Sequence, residues 1–324
     1  MNRIAVDAMG GDLAPAETVR GAVAASSMGL EPILVGDQSA IANELARLEA
    51  DLPVVHASQV IEMGEDPGQG LRDKPDSSIS VCARMVAEGQ AGAMISAGST
   101  GAAMAAAAII IGRSQGVARP TIASVFPTPG SPTVVLDSGA NIEVKPEHLV
   151  QFAVMGAVLS EVLFGLEKPR VGLLNIGEEP GKGRQLDKDA FDLLAATSLN
   201  FVGNVEGRDL ATDRADVIVS DGFTGNVFLK TTEGAAQTMA ILMMEAFSQL
   251  EPEAQAAVLP ALGEIRRRMD YETYGGAHLL GVNGVVVIAH GSSSHVAIAN
   301  GIRIAHDGVA RDLVGKVASR LAGA

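Results

Sequence analysis

Short apolar runs ending in small polar residues, each followed by a helical pattern, recur along the chain. RIAVDAMGG (3–11) leads into AETVRGAVAA, and AGAMISAGST (91–100) leads into an Ala-rich helical stretch. PTVVLDSGAN (132–141), RVGLLNIGEEPGKG (170–183), ADVIVSDGFTGN (215–226) and GVVVIAHGSSS (284–294) each do the same. EPILVGD (31–37), LPVVHAS (52–58), TIASVFPT (121–128) and LNFVGNVEG (199–207) add four strand-like runs between them. Strands that alternate with helices, and are apolar on both faces, predict an α/β fold: a mostly parallel sheet covered by helices on both sides. The joints differ in length and chemistry, so they are not a sequence repeat. The chain is expected to form one catalytic α/β unit over 1–324, with two lobes around a cleft as an open alternative. The Pro-rich VFPTPGSPT (125–133) is the best lobe boundary or turn.

In open parallel sheets the loops at the carboxyl ends of strands line one rim, and ligands bind there. The polar residues at the six joints are therefore expected to converge on one cleft. SDGFTGN poses the sharpest question: two glycines alone would make its turn, yet the chain adds Asp221 and Asn226 to Gly222 and Gly225.

Composition narrows the classes of function. The 324 residues carry a net charge of -14, which disfavours nucleic acid as a partner. The main basic cluster is Arg266, Arg267 and Arg268, read equally as a patch for an anionic partner or as a solvated helix end. Only 3% of residues are aromatic, so the core must be built from Ala, Val, Leu, Ile and Met. Cys82 is the one cysteine, and its helical setting predicts a buried hydrophobe in a reducing compartment. No signal-like segment opens the chain, and GAAMAAAAIIIG, taken as the longest apolar run, is too short to span a bilayer. A cytoplasmic protein is expected.

Several joints carry candidate chemistry. Gly98, Ser99, Thr100 and Gly101 would let backbone N–H groups approach an anion, or form an ordinary turn with a Ser/Thr cap. No Walker or G-x-G-x-x-G pattern occurs at any joint. Glu178, Glu179 and Lys182 lie on a glycine-rich loop, where the lysine could clamp phosphate or an oxyanion, or all three could be solvated charge. The Asn226 amide could donate to a developing oxyanion, or cap a helix. His290 with Ser292, Ser293 and Ser294 invites a Ser-His hydrolase reading, but G-x-S-x-G is absent, and an anion-binding helix start is preferred. The histidines lack metal-ligand spacing, so no metal is expected; no cofactor is expected either. A stripe of Ala254, Ala257, Val258, Ala261, Leu262, Ile265 and Met269, interrupted by Pro260, is read first as core or dimer packing. The segment 243–275 is the expected contact for a dimer, a carrier protein or a membrane.

Nine short blocks occur in order: AVDAMGGDLAP, KPDSSI, SAGSTGA, LDSGAN, LLNIGEEPGKG, FVGNVEGRD, DGFTGNVFLKTTEG, GGAHLLGVNG and AHGSSS. Together they resemble the bacterial phosphate acyltransferase family of phospholipid synthesis, PlsX, over nearly the whole chain. The resemblance implies a Rossmann-like α/β/α sandwich akin to phosphotransacetylases. It implies attack of inorganic phosphate on a long-chain acyl-[acyl-carrier protein] thioester, giving acyl phosphate. It also implies a homodimer with transient contact to the inner membrane face. Lys182 matches the family's lysine and Asn226 its asparagine; these are the expected catalytic residues. Gly10, Gly11, Gly98, Ser99, Thr100, Gly101, Asp137, Asn141, Glu178, Glu179, Asp221, Gly222, Gly225, His290, Ser292 and Ser293 are the expected substrate-binding set. The family usually has Asn in place of Ser99 and of Arg184, and a turn proline in place of His278; Arg184 would then tune phosphate affinity. The rivals are a phosphotransacetylase acting on short acyl-CoA, a nicotinamide-dependent dehydrogenase, and a non-catalytic membrane scaffold.

Overall fold

The computed structural model describes residues 2–128, 130–269 and 271–323, with the backbone alone for 264–269 and 271. Eleven strands among them form one sheet. They are β1 (Arg3–Asp7), β2 (Glu31–Gly36), β3 (Val54–His56), β4 (Ala93–Ser96), β5 (Thr121–Phe126), β6 (Thr133–Leu136), β7 (Arg170–Leu174), β8 (Asn200–Val205), β9 (Val217–Val219), β10 (Ala277–Leu280) and β11 (Val285–Ile288), in the order 3-2-1-4-11-10-5-6-9-7-8. The helices are α1 (Ala16–Ser27), α2 (Gln38–Arg47), α3 (Pro67–Asp73), α4 (Ser78–Ala87), α5 (Thr100–Ala106), α6 (Pro146–Phe164), α7 (Gln185–Ala195), α8 (Gly222–Ser248), α9 (Pro252–Met269), α10 (His295–Ala310) and α11 (Leu313–Ala322).

The period-2 alternation of strand side chains sorts the helices into two layers. Ile4 and Val6 of β1 join a cluster with α1, α6 and α10, while Ala5 between them joins Cys82, Met85, Ala102 and Ala106 on the other face. The predicted α/β/α sandwich is the fold observed. Cys82 is fully buried, and burial followed by the charge of Asp7 pushes its thiol well above the usual range.

The predicted parallel sheet is interrupted at its centre. β10 pairs antiparallel with both β11 and β5, and β5 pairs antiparallel with β6. The strands β6, β9, β7 and β8, parallel to one another, therefore run opposite to β3, β2, β1, β4 and β11. β10, the four residues AHLL between Gly276 and Gly281, carries His278 in its run and was not among the expected strands. The Pro-rich segment 125–133 joins β5 to β6, where Val125 faces Val134 across an antiparallel pair.

Helix α6 is long and apolar enough to cross a membrane by length and composition, a segment that the apolar-run reading passed over. Phe152, Met155, Leu159 and Val162 are instead buried in the largest core cluster, with Val171, Val217 and Leu136. Helix α8 is the opposite case: of its residues only Gly222 and Gly225 are buried, and Met239, Ile241, Leu242 and Met244 are exposed. In α9, which continues through Pro260, Ala254, Ala257 and Ala261 are exposed and Val258 and Leu262 half-buried. This corrects the core reading of that stripe; the side chains of Ile265, Arg266, Arg267, Arg268 and Met269 lie outside the described residues.

Candidate active site

The joints after β6, β7 and β9 are built into each other. Asp137 is fully buried; Oδ1 accepts from Ile122 N at 3.1 Å and Ala140 N at 3.0 Å, and Oδ2 from Asn141 N at 2.7 Å and Asn141 Nδ2 at 2.9 Å. Burial raises its pKa, and these four bonds offset only part of the rise. Asn141 Nδ2 also donates to Pro120 O at 2.7 Å. The Asp137 carboxylate and the Asn141 amide nitrogen are thus occupied in shaping this loop.

Packing explains why SDGFTGN holds more than its glycines. Asp221 caps α8, its Oδ1 accepting from Thr224 N at 2.8 Å, while Oδ2 accepts from Thr224 Oγ1 at 2.8 Å. Gly222 and Gly225 let the first turn of α8 press on the loop after β6: a β-carbon on Gly222 would lie 2.7 Å from Asn141 O. Asn226 is therefore not the cap. It is exposed on the fifth residue of α8, with Nδ2 beside Gly139.

Lys182 sits on the loop after β7, half exposed, with Nζ 4.0 Å from Glu179 Oε2. Its backbone is held by Lys182 N donating to Glu179 O at 3.1 Å and Asn175 Nδ2 donating to Lys182 O at 3.2 Å. Glu178 is turned to Arg214, 2.9 Å away, and buried Asn204 donates to Glu179 O at 2.8 Å. Arg184 Nη2 reaches Asp221 Oδ2 at 2.6 Å and so joins the Lys182 loop to the α8 start. Nothing in the sequence pattern pairs these two residues, 37 positions apart.

The joints after β1, β4 and β11 form a second group. Asp7, buried at the end of β1, accepts from Ser96 Oγ at 2.6 Å, and Ser96 Oγ accepts from Gly98 N at 3.0 Å. A β-carbon on Gly10 would lie 2.6 Å from Asp7 Oδ2 and 2.7 Å from Gly98 N, so the two loops meet only because Gly10 lacks one. Burial raises the Asp7 pKa, with bonds from Ser78 and Ser96 acting against it. Asp12 N, next to Gly11, donates to Gly291 O at 2.8 Å and brings in the joint after β11. Ser99 is the cap of α5, accepting from Ala102 N at 3.4 Å; Thr100 is exposed beside it, and Gly101 packs on Pro67.

At the joint after β11, His290 Nδ1 lies 2.8 Å from Ser292 Oγ, and Ser293 is buried. The start of α10 is already filled by carboxylates. Glu17 Oε2 accepts from His295 N at 2.6 Å, and Glu272 accepts from Ser294 N at 3.3 Å and Ser294 Oγ at 2.9 Å. This corrects the anion-binding reading of Ser294: the protein supplies its own anions there. Asp7, Glu17, Glu272 and Arg214 were missed from sequence; only Asp7 had a signal, as an acid ending an apolar strand. The expected convergence of all six joints thus resolves into two bonded groups, carried by strands of opposite direction.

Comparison with known proteins places this architecture. A family model described as "Fatty acid synthesis protein" matches residues 2–316. The phosphate acyltransferase of Desulforamulus reducens is 49% identical over 318 residues, 97% of this chain and 96% of that protein. That of Moorella thermoacetica is 50% identical over 308 residues, 94% and 91% of the two chains.

The chain belongs to the phosphate acyltransferase family.

Solved structures agree in fold. A phosphotransacetylase from Streptococcus pyogenes superposes with a TM-score of 0.65 at 20% identity, covering 95% of this chain and 94% of that one. A branched-chain phosphotransacylase from Enterococcus faecalis V583 gives 0.61 at 16% identity, covering 96% and 100%. Of the three departures from the usual family pattern, Ser99 still caps a helix. His278 does not sit in a turn. It lies in β10, 1% exposed, with neither ring nitrogen in a hydrogen bond of good geometry. Arg184 is turned to carboxylates. Among the described residues no group of three or more His, Cys, Asp or Glu could hold a metal.

Proposed function

We propose that the chain transfers a long-chain acyl group from acyl-[acyl-carrier protein] to inorganic phosphate, producing acyl phosphate for phospholipid synthesis. Besides the family, one observation carries this reading. The two exposed donors are Lys182, on the loop after β7, and Asn226, near the start of α8, and the Arg184–Asp221 contact joins these two segments. Phosphate oxygen is a nucleophile near neutral pH, so the reaction needs orientation and charge stabilisation rather than an activated Ser or Cys. Phosphate attacks the thioester carbon, the carbonyl oxygen gains charge, and the C–S bond then breaks to release the carrier's thiolate. Lys182 would hold phosphate and face the carbonyl oxygen; Asn226 Nδ2 would donate to that oxygen. Asp137, Asn141, Asp221, Gly222 and Gly225 would set their positions rather than touch substrate. Gly98, Ser99, Thr100, Ser292 and Ser293, in the other group, are proposed as further substrate-binding residues.

Large apolar side chains support an acyl substrate. Ile142, Ile176 and Phe223 are 72%, 80% and 62% exposed on the same three joints that carry Asn141, Lys182 and Asn226. A homodimer is proposed as well, formed through the uncovered apolar faces of α8 and α9, with cytoplasmic placement and transient contact at the inner membrane face.

The test follows carrier thiol release from palmitoyl-[acyl-carrier protein] with and without phosphate, trapping acyl phosphate with hydroxylamine. Phosphate-dependent release that falls about 10²- to 10³-fold in Asn226→Ala and Lys182→Ala supports the reading. Turnover with short acyl-CoA alone would favour phosphotransacetylase activity, which the fold permits. No turnover with either substrate would favour a scaffold.

A further inference from the structure

Arg184 occupies the residue just before α7, and its guanidinium bridges two helix starts. Nε donates to Asp187 Oδ2 at 3.0 Å, and Nη2 to Asp187 Oδ1 at 2.8 Å and to Asp221 Oδ2 at 2.6 Å. Arg184 N donates to Asp187 Oδ2 at 2.8 Å as well. Asp187 and Asp221 are 6% and 2% exposed, so each needs the bonds and the counter-charge it receives. A planar fork suits this two-sided contact, and a lysine ammonium does not.

The bridge has consequences for both reacting groups. Arg184 is separated from Lys182 only by Gly183, whose φ is +88° and where a β-carbon would lie 2.6 Å from Asn175 Oδ1 and 2.7 Å from Asp187 Oδ2. A side chain has no room at that position. On the other side, Asp221 caps the helix whose fifth residue is Asn226. The guanidinium is thus the cross-member between the lysine loop and the asparagine helix, with its charge already matched by two carboxylates.

We propose that Arg184 is a positioning residue, which sets the separation of Lys182 and Asn226 and takes no part in holding phosphate. The proposal rests on the assignment of those two residues made above. It replaces the expectation that Arg184 tunes phosphate affinity.

The experiment compares Arg184→Gln, Arg184→Lys, Asp221→Asn and the double variant Arg184→Gln/Asp221→Asn in the full-length protein. Initial rates are measured against phosphate concentration with palmitoyl-[acyl-carrier protein]. Positioning predicts that Arg184→Gln lowers kcat about 10- to 100-fold with little change in KM for phosphate. Arg184→Lys should fail to rescue, and the double variant should be no slower than Arg184→Gln, because the bridge is already broken. A KM for phosphate raised about tenfold at unchanged kcat, and restored by lysine, would overturn the proposal in favour of a phosphate ligand. Unchanged kinetics in all variants would overturn it too. If Arg184→Gln does not fold, the kcat and KM split in Arg184→Lys decides. Denaturant unfolding of the four proteins gives a second readout. Non-additive stabilities confirm the bridge even if the wild type shows no phosphate-dependent turnover, in which case the functional reading fails by itself. Additive stabilities would remove the bridge.

Discussion

The Cα of Gly225 lies so close under the carbonyl of Asp137 that a β-carbon there would overlap the Asp137 oxygen. This contact lays α8 against the loop after β6. Two effects oppose each other in Gly225→Ala. Helix propensity gains about 1 kcal/mol. Overpacking against backbone, which cannot rotate away, costs about 3 kcal/mol. The second wins, and the denaturant midpoint should fall by the equivalent of about 2 kcal/mol. Gly234, further along α8, has nothing within 4 Å of the place a β-carbon would take, so Gly234→Ala should instead stabilise. Equal effects at both positions would sink the packing argument.

His278 should make the protein acid-sensitive. Burial lowers its pKa from 6.5 to about 4, with the Ile304 backbone and Asp307 offsetting only part of the effect. Below its unfolded pKa the unfolded chain binds a proton that the folded chain refuses. Its contribution to stability is therefore intact above pH 6.5, is lost progressively as pH falls below that value, and is gone once pH has fallen through about 4. Between pH 7 and pH 5 the loss amounts to about 2 kcal/mol. Chemical unfolding of wild type and His278→Leu at both pH values measures it. The leucine variant should lose less stability over that interval, and parallel losses would refute the assignment.

Ile176 is the most exposed large apolar residue near Lys182, at 80%. If it meets the acyl chain, Ile176→Ser should raise KM for palmitoyl-[acyl-carrier protein] about tenfold, the scale expected for about 1–2 kcal/mol of lost apolar contact. A short-chain acyl donor should show a much smaller change. The comparison of the two donors is the measurement, and an equal effect on both would place Ile176 outside the acyl path.

Ile241 and Met244 are 60% and 59% exposed on α8. Ile241→Glu should convert a dimer to monomer at micromolar concentration, since one buried unpaired carboxylate costs several kcal/mol at an interface. Light scattering after size exclusion reads this directly. A wild type that is already monomeric would refute the dimer.

Much of the architecture was legible because its cause is local. The apolar runs that became β1, β4, β6, β7, β9 and β11 carry their own burial pattern, and Ser99 carries its own capping chemistry; at the α8 start the cap is Asp221, not Asn226. β10 was not legible, because His278 breaks its apolar run between two glycine turns, and the reversal it causes depends on which strand it pairs with. α9 misled for a related reason: a stripe of alanines looks the same whether the body covers it or not.

The site divides along the same line. That Lys182 lies on a glycine-rich loop after a strand, and that Asn226 lies at a strand-to-helix joint, could be read from the chain alone, because backbone preference within a few residues decides such things. That Arg184 turns to Asp187 and Asp221, that Glu17 and Glu272 fill the α10 terminus, and that Asp137 is sealed inside its loop depends on the assembled fold. A charged side chain takes the partner that relieves its desolvation best, and that partner is chosen by where the sheet brings distant loops together.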